Sequence, residues 1–197
     1  RMPVRRGMTI LYFAYGSNML AERLVRRCAS ACPVGRGTLT GFGVAFSKRG
    51  RDGTGKATLI AADENPAAVI ASGGPAVAHG VVYRLSCEDL TVLDRVEGRG
   101  FGYHRIEAIK VALGPLGEPV DVTTYIAEPS YRDSSLTPFD WYRDLVVAGA
   151  VQHGLPPAYC AWLASHPATP DADAMRPTRR EALDILAGLT GDLSARG

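Results

Sequence analysis

The sequence predicts an α+β protein, and two features of its pattern carry that prediction. Segments with strand character crowd the first two thirds of the 197 residues, and helical segments fill the last third. Only two helices interrupt the strands, so the regular alternation of a doubly wound fold is missing. The length suits one domain with an appended tail. The boundaries fall at 8–167 for the domain and 168–197 for a proline-rich connector and a C-terminal helix. Residues 1–7 read as a leader or appended remnant ahead of a native start at Met8. No internal repeat is visible.

Thr9 to Ala14 is an apolar run rich in β-formers, the mark of a buried strand. A helix follows, capped by Ser17 or Asn18, with Leu20, Leu24 and Cys28 recurring on one face. Leu39 to Ser47 alternates, placing Phe42, Val44 and Phe46 on one side of a strand. Ala57 to Ala62 and Val77 to Leu85 read as two more strands. Ser86 opens the next helix with Asp89 three residues on, and Gly98 ends it. Tyr103 to Leu113 and Val120 to Ala127 form strands joined by the turn Gly114–Gly117. Thr137-Pro138 starts a helix that runs to His153, where Gly154 stops it. Pro156-Pro157 begins a short helix through Trp162. After the connector Pro167–Pro177, Thr178 and Glu181 make a capping box for a final helix that docks through Leu183, Ile185 and Leu186.

Composition excludes several classes of function. Lys+Arg 22 against Asp+Glu 20 leaves no basic excess for a dedicated nucleic-acid surface. The pairs Arg5-Arg6, Arg26-Arg27 and Arg179-Arg180 are short and read as solvated. No run approaches a membrane span. Cys28, Cys32, Cys87 and Cys160 form no C-x-x-C pair, so reduced thiols in a cytoplasmic protein are expected. Cys28-x-x-x-Cys32 lacks the partners that would complete a zinc site, and no metal is expected.

Three glycine-rich segments compete for chemistry. Gly50 to Lys56 has the G-x-x-x-x-G-K spacing of a phosphate loop, but position 57 is Ala where a hydroxyl is needed. Residues 57–62 also read as a strand, not the helix that would hold phosphate. A glycine-rich hairpin loop is the simpler reading. Gly98-Arg-Gly-Phe-Gly102 follows a helix and is no dinucleotide fingerprint. The third segment, Tyr12-Phe13-Ala14-Tyr15-Gly16-Ser17-Asn18, passes from strand to helix at Gly16. Free N–H groups at a helix start suit a carboxylate or an oxyanion. The competing reading is a plain N-cap by Ser17 or Asn18.

Glu97 stands out on its helix. Leu90, Leu93 and Glu97 fall at about 0°, 300° and 340°, so Glu97 extends the apolar stripe that faces the core. It also sits in the last turn, where the helix dipole disfavours negative charge. Lost hydration and the dipole together favour the protonated form, which suits a group that takes and returns a proton. Asp94, near 40°, is less central. The competing reading is a frayed helix end reaching solvent.

Four segments in order resemble one family. Tyr12-Phe-Ala-Tyr-Gly-Ser-Asn-Met19 is similar to the N-terminal signature of the gamma-glutamylcyclotransferase, or AIG2-like, family. Gly80-Val-Val-Tyr83 resembles the strand before its catalytic segment, and Leu93-Asp-Arg-Val-Glu97-Gly98 with Gly102-Tyr103 resembles that segment itself. Tyr142 to Pro156 resembles its late helix. The resemblance spans residues 10–165, and the tail after Pro167 has no match in it. It implies a small, mixed, partly closed β-barrel with flanking helices and no metal or organic cofactor. It implies Glu97 as the catalytic residue, substrate contacts from Tyr12–Asn18, and pocket hydroxyls from Tyr103, Tyr125 and Tyr142. Homodimers follow by analogy alone. The loops 47–56 and 64–76 depart from the family pattern, and the resemblance implies that both border the pocket.

The implied reaction is intramolecular. The α-amine of a γ-glutamyl group attacks its own γ-carbonyl, releasing 5-oxoproline and an amine or amino acid. Alternatives are γ-glutamyl amines or a γ-glutamyl-protected biosynthetic intermediate as substrate. Another is a non-catalytic metabolite-binding protein of the same fold.

Overall fold

The computed structural model describes residues 7–63, 66, 76–98 and 102–194, and the expectations for 64–76 and 99–101 fall almost wholly outside them. Among the described residues there are seven strands: β1 (Thr9–Ala14), β2 (Cys32–Thr40), β3 (Phe42–Arg49), β4 (Gly55–Ala61), β5 (Val77–Ser86), β6 (Tyr103–Leu113) and β7 (Glu118–Ala127). The described helices are α1 (Ala21–Arg27), α2 (Cys87–Glu97), α3 (Asp140–Gln152), α4 (Pro157–Ala164) and α5 (Pro177–Ser194). The fold is α+β, with a mixed five-stranded barrel in the order β1-β5-β2-β6-β7. The ring closes fully through a parallel pairing of β1 with β7 at Tyr12 and Thr123, while its other pairs are antiparallel. β3 and β4 form a separate two-stranded hairpin.

Phe13 fills the barrel, and two glycines let the strands close over its ring. A Cβ at Gly80 would lie 2.3 Å from the Ala14 carbonyl oxygen and 2.6 Å from the ring. One at Gly37 would lie 2.7 Å from Val111 and 3.0 Å from the ring. This explains β2, which the sequence pattern does not announce. Pro33, Gly35 and Gly37 deny it strand propensity, but the packing needs its small residues. The expected strand Leu39–Ser47 is in fact two strands meeting at Gly41, whose φ of 85° makes the turn.

Helix α2 follows its sequence signals. The Ser86 side chain accepts a hydrogen bond from the Asp89 N–H, Leu90 and Leu93 are buried, and Gly98 ends the helix at φ 65°. Other caps differ from expectation. A single 3₁₀ turn, Ser17–Met19, precedes α1, so Leu20 is the N-cap and neither Ser17 nor Asn18 caps a helix. α3 begins after Phe139, two residues past the expected Thr137, and α5 begins at Pro177, which puts Thr178 inside the helix. α5 docks through Ala182 and Ile185, with Leu186 and Leu189 beside them, while Leu183 faces solvent. No described helix is long and apolar enough to cross a membrane. Cys28 is buried and Cys32 exposed, and all four cysteines are free.

Candidate active site

A cavity of about 600 Å³ opens beside the strand-to-helix corner after β1. Its walls come from the corner itself, α1, the end of α2, the β3–β4 hairpin, the strands β6 and β7, and the starts of α3 and α5. Tyr12, Tyr15, Gly16, Ser17, Asn18, Glu97, Tyr103, Tyr125 and Tyr142 all line it, so nine of the residues singled out in the sequence meet in one place. Phe13 and Ala14 do not. Both side chains are fully buried, that of Phe13 inside the barrel and that of Ala14 on the opposite face of β1.

Glu97 reaches the cavity with its side chain 18% exposed, so it does not fray into solvent. Asn18 Nδ2 donates to Glu97 Oε1 at 2.9 Å and to the Tyr12 hydroxyl at 3.2 Å. Arg27 donates to Asn18 Oδ1 at 3.0 Å and lies 3.9 Å from Glu97 Oε1. The guanidinium can only donate, so it fixes which end of the Asn18 amide faces the carboxylate. Among the described residues, the contacts of the carboxylate all fall on Oε1. Asp94 does not line the cavity: Tyr125 and Arg105 each donate to it at 2.7 Å.

Five of the six tyrosines that line the cavity divide by what their hydroxyl protons do. Tyr15 donates to the Tyr125 carbonyl, Tyr103 to the Ala57 carbonyl at 2.7 Å, and Tyr125 to Asp94. Tyr12 and Tyr142 instead act as acceptors, from Asn18 and from the Ala57 N–H at 3.1 Å. Among the described residues the Tyr12 proton is therefore left for a ligand, while the Tyr142 hydroxyl also has the Ser17 side chain within hydrogen-bond reach. Burial, reinforced by the Glu97 charge, pushes the Tyr12 phenol well above its ordinary range, and burial also raises that of Tyr142. Both stay protonated and can donate. Ala57 is held on both sides, its N–H by Tyr142 and its carbonyl by Tyr103.

A set of cations also reaches the cavity, and the sequence pattern did not point to it. Arg23, Arg27, Lys48, Arg49, Arg51, Lys56 and Arg176 line the wall. The expectation that Arg26 and Arg27 are both solvated holds only for Arg26, which meets Asp184 at the surface. The phosphate-loop spacing is a hairpin loop: Lys56 bonds Asp52 at 2.7 Å and Thr54 at 2.9 Å, and a strand follows instead of a helix. Arg176 is set by Asp171, whose carboxyl its bonds hold down to about 2. Trp141, from α3, donates its indole N–H to the same carboxylate at 3.0 Å.

The comparisons with known proteins agree with this geometry. Residues 78–163 match the family model described as the AIG2-like family. The chain is 32% identical over 164 residues to the gamma-glutamylcyclotransferase of Mus musculus, covering 79% of this chain and 77% of that protein. It is also 32% identical over 151 residues to the gamma-glutamylcyclotransferase of Homo sapiens, covering 77% and 75%. A solved structure described as a gamma-glutamyl cyclotransferase superposes with a TM-score of 0.74 at 26% identity, over 90% of this chain and 99% of that one.

Proposed function

The chain belongs to the gamma-glutamylcyclotransferase family and is an enzyme of that type, and from that premise we propose how its cavity closes a γ-glutamyl group into 5-oxoproline. The α-amine attacks the γ-carbonyl carbon within one molecule. Holding the chain curled replaces a bimolecular encounter, and effective molarities of about 10⁵–10⁸ M become accessible. The remaining work is proton transfer and charge stabilisation.

Glu97 carries the proton. Its Oε2 accepts a proton from the substrate ammonium, which frees the lone pair for attack. After attack the ring nitrogen still carries two hydrogens; it passes one of them to the departing amine or to water, and the tetrahedral intermediate collapses as Glu97 returns the first proton to the leaving nitrogen. The C–N bond of the original amide breaks, the lactam C–N bond forms, and the carboxylate ends as it began. Asn18, held by Arg27, keeps Glu97 aimed during both transfers. The hydroxyls of Tyr12 and Tyr142 and the backbone amides at Gly16 to Asn18 are the donors for the γ-carbonyl oxyanion and the substrate α-carboxylate. The four free cysteines agree with a reducing, cytoplasmic setting.

The carrying observation is a largely buried carboxylate held by Asn18 on the wall of a cavity. Glu97→Gln keeps the shape and removes the base. We expect kcat/KM for γ-glutamyl-alanine to fall about 10²–10⁴-fold, with affinity for a non-cyclising γ-glutamyl analogue nearly unchanged. Wild-type release of 5-oxoproline by that variant would remove Glu97 from the mechanism.

A further inference from the structure

The cations outnumber the carboxylates available to them. Glu97 stands near Arg27, Asp133 holds Arg49, Asp52 holds Lys56, and Asp171 holds Arg176. Arg51 is exposed at the mouth. Two buried cations remain. Arg23 is 5% exposed; its Nε donates to Ser17 Oγ at 3.1 Å, and its Nη1 is buried with no partner among the described residues. Lys48 is 8% exposed and forms no ion pair among the described residues. Its ammonium lies 4.6 Å from the centre of the Tyr103 ring and 5.9 Å from that of Tyr131.

Burying an unpaired charge costs several kcal/mol, so two such groups facing one cavity need a reason. The molecule also makes room for them. A Cβ at Gly102 would lie 2.9 Å from the Lys48 ammonium nitrogen, and one at Gly50 2.6 Å from the Lys56 stem. Lys56 mirrors Lys48: its ammonium lies 4.7 Å from the centre of the Tyr142 ring. The hydroxyls of Tyr103 and Tyr142 grip the two sides of Ala57, so the two ammonium groups flank one point of the wall. Burial lowers the proton affinity of both lysines; the Glu97 charge offsets this in part at Lys48 and Asp52 does so at Lys56, while the neighbouring cations still repel each of them. An anion between them relieves that repulsion.

The rest follows from room and charge. A cavity of about 600 Å³ is in the range that holds a drug-sized molecule, so a glutamyl group at the Glu97 end leaves space. The hairpin loop and the start of α5 border that space. The α-carboxylate goes to the amides and hydroxyls at the corner, where Arg23 also stands on Ser17. The hairpin and the start of α5 bring Lys48, Arg51, Lys56 and Arg176 to the other half, with Asp52 holding Lys56 and Asp171 holding Arg176. Lys48 and Arg51 are left for the leaving half, and an ordinary amino acid brings one carboxylate to these two cations.

We propose that this enzyme prefers γ-glutamyl compounds whose leaving half is itself acidic, an amino acid or short peptide carrying at least two carboxylates. This deepens the function proposed above and rests on it. The test compares γ-glutamyl-glutamate with γ-glutamyl-glutamine, which has nearly the same shape and one charge fewer. We expect kcat/KM to favour the acidic compound at least about tenfold at low ionic strength, since a site built around charged partners rejects the neutral isostere. Raising the salt should shrink the ratio. Lys48→Met should bring it close to one, and Lys48→Arg should retain it. Equal turnover of the two compounds by the wild-type enzyme overturns the preference and leaves the cyclotransferase reading intact. No lactam from either compound, nor from γ-glutamyl-alanine, overturns that reading as well. A variant that fails to fold leaves the wild-type ratio and its salt dependence to decide.

Discussion

The barrel interior and the cavity wall are built from adjoining stretches of β1 and obey opposite rules. Around the Phe13 ring the strands press close, with glycine at 37 and 80 and with Val82 and Val111 fully buried. Two residues further along the chain, Tyr15 turns toward a cavity whose wall holds a buried guanidinium nitrogen without a partner among the described residues. The interior maximises contact and so stabilises the fold. The wall keeps desolvated charge and a free hydroxyl proton, which stabilise nothing until a ligand arrives. Stability and function are thus separated by one strand, and substitutions on the two sides should respond differently.

The largest effect is expected where packing is tightest. Gly80→Ala places a methyl group 2.3 Å from the Ala14 carbonyl oxygen, and backbone cannot swing aside as a flexible side chain can. Overpacking of this kind costs about 3 kcal/mol, or roughly 6–12 °C in Tm for a chain of this size. Thermal unfolding measures it directly. An unchanged Tm would mean that β1 and β5 can part without loss, and the contrast between interior and wall would collapse.

Arg23→Met tests the other side. The substitution keeps much of the stem and removes an unpaired buried charge. Removing a group from the barrel should weaken the fold, but here the expected change is a gain of about 1 kcal/mol, or roughly 2–4 °C in Tm. Over the same substitution kcat/KM should fall at least about tenfold, as a charged contact to substrate is lost. A drop in both quantities would make Arg23 a structural residue held by Ser17 and the nearby Glu181, not a ligand for substrate.

How much of this was legible in the sequence follows the same divide. The strands β5, β6 and β7, the Ser86 cap, the Gly98 stop and the inward face of Glu97 are local matters of period and turn chemistry, and they could be read off. β2 could not, because Pro33, Gly35 and Gly37 argue against a strand until Phe13 and Val111 are known to press on it. Arg26 and Arg27 look alike as neighbours, but about 100° separates them around a helix, and one meets solvent while the other meets Asn18. Lys56 was visible only as part of a failed phosphate loop, since its aromatic neighbours Trp141 and Tyr142 lie far along the chain. Arg176 had no local signal at all. Its place at the cavity depends on Asp171 and on the docking of α5. Site residues on short motifs were readable, whereas those brought by long-range folding were not.

The smallest expected effect completes the comparison by repeating the first substitution where nothing resists it. Gly188 lies in the interior of α5 on its exposed face; a Cβ added there would meet no atom within 4 Å, and the residue has no positive φ. Glycine there costs helix stability because the unfolded chain gives up more freedom at it than at alanine. Gly188→Ala should therefore stabilise by about 0.5–1 kcal/mol, visible as a rise of roughly 1–4 °C in Tm. The same added methyl group then lowers Tm at position 80 and raises it at position 188, and the sign is set wholly by what surrounds it. Because α5 brings Arg176 to the cavity through its docked face, and Gly188 is not on that face, kcat/KM should stay at the wild-type value. A change in turnover with Gly188→Ala would show that strain in the tail reaches the site, and the tail would then have to be counted with the wall.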